Sequence, residues 1–144
     1  MNGLWKTWMT VWCWGLLAFG VLLAMVAVPG ADGAARLLFN AFNSDRSNPA
    51  LFDLPAVRFG LGLQGALTIG WALTMFAMID AAQAGGARIW RSLTGALLVW
   101  YVIDSAISVR TGFALNAASN TLLMASFLLP VLASGVLRGP ARAA

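Results

Sequence analysis

An all-α membrane protein, with four transmembrane helices in an antiparallel bundle, is the fold class this sequence predicts, and three observations carry the prediction. The 144-residue chain is 60% hydrophobic and only 10% charged, with a mean hydropathy of +0.81, whereas soluble chains carry about a quarter charged residues. Its apolar residues fall into long uncharged runs, 22 residues from Thr7 to Val28, 21 from Phe59 to Ile79 and 27 from Thr111 to Leu137, where about 20 span a hydrocarbon core. Between the last two lies a fourth apolar segment, bracketed by Arg88, Arg91 and Arg110, with Asp104 as its one internal acid. A chain of this length reads as a single membrane domain over residues 1–144.

Absent residue types narrow the chemistry. There is no His and no Glu, five Asp are the only acids, and Cys13 is the only cysteine. Imidazole-ligated haem, a histidine base, a CxxC redox pair and an internal disulfide are therefore excluded. Cys13, within an apolar run, reads as an inert thiol. The net charge of +4 and pI near 10.7 arise from one Lys and eight Arg scattered singly. No basic run exists to track a nucleic-acid backbone, so no nucleic-acid partner is expected. Basic residues at the ends of apolar segments suit membrane anchoring instead.

The first helix is expected over about 7–28, behind Lys6. A cleaved signal peptide is the rival, but its apolar core should be about 7–15 residues long; the run reads as an uncleaved span. Trp5, Trp8 and Trp12 share one face near its start and read as an interfacial aromatic belt, with a stacking surface for a lipid, pigment or partner as the alternative. Pro29, Gly30 and Gly33 end the helix. In the long connection that follows, Asp32 is placed to cap a short helix over 33–42, whose apolar face (Ala35, Leu38, Phe39, Phe42) fits a helix lying on the membrane surface. Residues 44–49, SDRSNP, are turn chemistry, and Asp53–Pro55 lead into the second span, about 56–80.

Within that span Gly62, Ala66, Gly70 and Thr74 recur every four residues and read as a helix-packing ribbon. Gln64 reads as a bond to a neighbouring helix. A turn at Gly85-Gly86 makes the second and third spans neighbours, the third covering about 88–110. After a tight turn at Gly112 the fourth span is expected over about 112–137; Pro130 should free the Ser126 carbonyl, with the Ser126 hydroxyl partly compensating. Arg138 to Arg142 form a tail. Both termini then share a side holding five Lys and Arg against four opposite. Eight Arg to one Lys with abundant Ala suggests a bacterial source, and the charge bias and the Asp-containing loop then place both termini on the cytoplasmic side of its inner membrane.

Residues 100–121 are the candidate site. About Gly112, Asp104 and Asn120 are each eight residues away, and Ser108 and Asn116 each four. Two polar pairs would therefore lie at matched depths, with Tyr101 on the same face as Asp104. Helical rise puts Asp104 about 12 Å below the turn, where an ionised carboxylate costs several kcal/mol and commonly marks function. Arg110 or Arg58 would be its counter-ion. Three readings follow. Asp104 fastens two helices by bonding Asn120 or Tyr101; it is a proton or cation site on a transport path; or the cluster orients the head of a lipid-like ligand such as a quinone or carotenoid.

No other intramembrane ionisable group extends a relay, which weakens transport. Serines without a base, lone carboxylates and glycines inside a span give no triad, metal set, phosphate loop or cofactor site. The expectation is a non-catalytic protein that acts by association in the bilayer, as an accessory or assembly subunit of a larger complex or as a homo-oligomer.

Overall fold

The computed structural model describes residues 1–42 and 49–138. The turn expected over 44–49, apart from Pro49, and the tail beyond Arg138 lie outside them. Among the described residues regular structure is all helical: α1 (Gly3–Ala24), α2 (Gly33–Phe42), α3 (Pro55–Gly85), α4 (Ala87–Arg110) and α5 (Ala114–Ala133), with 3-10 turns at Met25–Ala27 and Pro49–Asp53. Four of the five, α1 with its 3-10 extension, α3, α4 and α5, are long and apolar enough to cross a membrane.

The helix ends differ from expectation for local reasons. α1 begins four residues early because the Asn2 side chain accepts from the Trp5 amide, at 3.1 Å, and caps it. α3 runs on past Asp80 through the helix-favouring stretch AAQA, and the turn to α4 shrinks to Gly86, whose φ of 72° is accessible to glycine at little cost. α5 stops at Ala133. Gly135, at φ 66°, ends it in the manner of a C-terminal glycine, and Ser134 Oγ donates to the Pro130 carbonyl at 2.6 Å.

α1 packs chiefly on α3 and α4 on α5, while α3–α4 and α1–α5 contacts are sparser. At the end bearing Met1 and Gln83, the two pairs close around one core of Met9, Cys13, Met75, Trp90, Phe127 and Val131. A second, smaller core forms at the other end, where Val26, Ala35 and Phe52 bring α2 and the 49–53 turn against α1 and α3.

The closest helix contact is not the expected ribbon. A Cβ on Gly20 would meet the Ile69 amide nitrogen at 2.8 Å, and one on Gly65 would overlap the Ala24 backbone. The buried line on α3 is Gly65, Thr68, Ala72, Met75, Ile79 and Ala82. Of the ribbon, Gly62 alone packs closely, against Ala27; Ala66, Gly70 and Thr74 face outward, and nothing lies within 4 Å of a Cβ on Gly70. Four residues advance a helix by about 40° beyond a full turn, so a strict four-residue spacing winds off the contact face. The mixed three-and-four spacing of the buried line stays on it.

Trp8 and Trp12 tie α1 to α5. Trp8 Nε1 donates to the Ser126 carbonyl at 2.9 Å, the group Pro130 leaves without its helical partner, and Trp12 Nε1 donates to Leu123 O at 3.1 Å. Trp12 is 7% exposed, a core residue rather than a surface-belt one. Trp5 stacks edge-on with Trp8, ring centres 6.3 Å apart. Ser126 Oγ turns back to Leu123 O, at 2.8 Å, instead of compensating its own carbonyl.

Candidate functional site

The α4–α5 turn sets up the polar cluster. Gly112, at φ 85°, reverses the chain, and Phe113 N closes it on Ser108 O at 2.8 Å. From there the side chains meet in the pairs that the spacing about Gly112 predicts. Asn116 Nδ2 donates to Ser108 Oγ at 2.8 Å, and one turn further Asn120 Nδ2 donates to Asp104 Oδ1 at 2.7 Å. Asn116 Nδ2 also reaches Asp104 Oδ1 at 3.1 Å, and Ser108 Oγ lies 3.2 Å from the same oxygen. The single Ser108 hydroxyl proton goes chiefly to the Asp104 backbone carbonyl at 2.7 Å, so the donors committed to Asp104 Oδ1 are the two asparagine amides. Asp104 Oδ2 accepts none among the described residues.

Two assignments change. Tyr101 does not reach Asp104; its hydroxyl pairs with Thr121 Oγ1 at 3.0 Å. Neither expected counter-ion pairs with Asp104. Arg58 Nη2 lies 3.0 Å from both Asp32 Oδ2 and Asp53 Oδ1, and its Nη1 donates to Val26 O at 2.8 Å. Arg110, exposed on the last turn of α4, makes no ion pair among the described residues. Arg58 is held at the loop because two carboxylates there offer charge-assisted bonds that one deeper acid cannot match.

Sequence reasoning missed a cavity. Between the α1–α3 pair and the α4–α5 pair the side chains leave a half-open cavity of about 500 Å³, within the roughly 300–1,000 Å³ of small-molecule sites. Its floor is aromatic: Trp71 and Trp100 stand 5.1 Å apart, and Trp71 meets the core at Trp12. Leu16 and Phe19 of α1 form an apolar wall, with Gln64 and Thr68 of α3 nearby; Asp104, Ser108, Asn116 and Asn120 form a polar strip opposite. Leu38, Phe39 and Phe42 of α2 supply the roof, Phe39 packing edge-on to Phe113. Gly15 also lines the space, with nothing within 4 Å of an added Cβ. The apolar face of α2 was readable in sequence, but not that it covers a space.

An alternating charge network pins this roof. Arg36 Nη2 lies 2.9 Å from Asp32 and 2.7 Å from Asp53, while Arg58 bridges the same two acids from α3. The Arg36 guanidinium also sits over the Phe52 ring, 5.0 Å from its centre. Hydrogen bonding to Arg36 holds the Asp32 carboxyl below its usual range, outweighing the opposing effect of burial. Arg36 first and Arg58 second do the same for Asp53. Both acids raise Arg36 in turn.

The chain matches no known protein-family model, no curated protein and no solved structure.

Proposed function

We propose that this chain is a non-catalytic, multi-pass protein of a bacterial inner membrane that holds an amphipathic, lipid-like molecule between its helices. In this reading the four long helices form an antiparallel bundle, both termini lie in the cytoplasm, and α2 rests at the outer membrane surface as the lid of the cavity. The single observation that carries the reading is the half-open cavity that α2 partly covers. It has apolar and aromatic faces for a hydrocarbon body and one polar strip for a head group. Transport gains nothing from it, because a relay needs a second ionisable group. Among the described residues Asp104 is the one charged residue lining the cavity.

Purification in a mild non-ionic detergent, with mass spectrometry of the extracted small molecules, tests this. The wild-type chain should retain a stoichiometric amphipath. Gly15→Phe should not, since Gly15 lines the cavity and an added Cβ there meets nothing within 4 Å. Equal retention by both would refute the reading.

Association remains a second reading, supported by the outward-facing Ala66, Gly70 and Thr74. Small residues on a lipid-facing helix allow close approach of another membrane helix, from a partner subunit or a second copy. Cross-linking at position 70 in native membranes tests it: discrete adducts support association, and their absence removes it.

A further inference from the structure

Asp104 lies about 9 Å from the Arg110 end of its helix, by the rise per residue, on the wall of an apolar cavity. Carboxylates so placed are ordinarily matched by a cation or by donors to both oxygens. Here both asparagine amides converge on Oδ1, and Oδ2 has no donor among the described residues. No cation among the described residues pairs with it, since Arg36 and Arg58 are committed to Asp32 and Asp53. Trp100, one turn deeper on the same helix face, and Trp71 offer ring surface beside the acid. Against the carboxylate form, an occupant whose polar end is only an acceptor, such as a quinone carbonyl, would set its oxygen against Oδ2. A hydroxyl can donate one hydrogen bond but leaves the charge unmatched. An ammonium supplies both donor and charge.

Resting on the ligand-holding reading above, we propose that the polar end of the occupant is a protonated primary or secondary amine seated on Asp104 Oδ2. Its apolar body lies against Leu16, Phe19, Trp71 and Trp100 beneath Phe39. The asparagines then act as positioning residues: by loading Oδ1 they fix the carboxylate with Oδ2 toward the cavity.

The test uses two probes of equal chain length, dodecylamine and dodecanol, with the full chain in non-ionic maltoside micelles at pH 7, where an alkylamine is protonated. Binding is read from tryptophan emission. The wild type should prefer the amine by about tenfold or more, equivalent to about 1.4 kcal/mol. Asp104→Asn should abolish the preference while keeping dodecanol binding, and Gly15→Phe should weaken both. Equal binding of the two probes to the wild type, or a preference that survives Asp104→Asn, overturns the ammonium seat and leaves the cavity reading standing. If neither probe binds, or Gly15→Phe changes neither, the cavity reading itself fails and the seat with it.

A second measurement needs no variant. Dicyclohexylcarbodiimide labelling at Asp104, located by peptide mass, should be blocked by N,N-dimethyldodecylamine, a tertiary amine that cannot itself be acylated, at about one-tenth the concentration of dodecanol required. Equal concentrations for both probes refute the proposal.

Discussion

Two glycines on one helix make opposite predictions for the same substitution. Gly65→Ala places a methyl group on the Ala24 backbone, where no rotamer change can relieve the overlap and α1 and α3 must part. Gly70→Ala places it in open space. Both gain the helix propensity of alanine over glycine, about 0.5–1 kcal/mol. At position 65 an overpacking cost of about 1–3 kcal/mol opposes that gain. Subtracting one variant from the other cancels the propensity term, whatever helicity the denatured state keeps, and leaves the overpacking cost. Gly70→Ala should therefore raise stability by up to about 1 kcal/mol, and Gly65→Ala should lie about 1–3 kcal/mol below it. Denaturant titration in mixed micelles, followed by tryptophan emission, measures both. Equal stabilisation would show that α1 and α3 do not meet at Gly20 and Gly65. Marked destabilisation by Gly70→Ala would mean that another helix covers the outer face.

Other substitutions probe the remaining joints. Trp8→Phe should cost about 0.5–1.5 kcal/mol by stranding the Ser126 carbonyl; in a Pro130→Ala background, where residue 130 regains an amide, thermal melts should show most of that cost gone. Asp104→Asn should change stability by less than about 1 kcal/mol, whereas Asp104→Leu, which takes away the 2.7 Å acceptor of the Asn120 amide and leaves Asn116 with Ser108 Oγ, should cost about 1–3 kcal/mol on the same melts. The Asp32 and Asp53 carboxyls are depressed when folded, so their contribution is complete above the ordinary carboxyl value near 3.8 and is lost as pH falls through the folded values. Hydrogen exchange across α2 should thus stay slow from neutral pH down to about 4 and accelerate below it, after correction for intrinsic rates; acceleration between pH 7 and 5 would contradict the assignment. Arg58→Gln, which removes one of the two arginines, should speed α2 exchange about tenfold already at neutral pH.

What could be read from the sequence divides along physical lines. Helix existence was legible because the bilayer imposes length and apolarity on each span separately. The Asp104–Asn120 and Ser108–Asn116 pairs were legible because a tight turn at Gly112 fixes the register of a two-helix hairpin, so equal offsets from the turn give equal depth. Contacts between non-consecutive helices have no such anchor. The four-residue ribbon resembled a packing face, yet the α1–α3 contact follows Gly65, Thr68 and Ala72, because only a spacing averaging 3.6 stays aligned with a straight partner. Trp8 and Trp12 looked interfacial by composition. Their indole N–H groups were claimed by α5 carbonyls, which no pattern within α1 could reveal.

The polar strip shows how a fastening and a site can share one carboxylate. Fastening α4 to α5 needs a single acceptor between the two asparagine amides, and Oδ1 alone serves it, at 2.7 and 3.1 Å. An interhelical hydrogen bond in a membrane contributes on average about 0.6 kcal/mol, a small return for placing a carboxylate at that depth. A neutral amide at position 104 could provide much the same fastening. What an amide could not provide is the second carboxyl oxygen, which takes no donor among the described residues, on a side chain that lines the cavity. The acid is therefore over-specified for packing, and its excess is Oδ2. The same α4–α5 bonds that hold the helices together also hold that oxygen in place, so loss of binding without loss of fold in Asp104→Asn is the signature that separates the two roles.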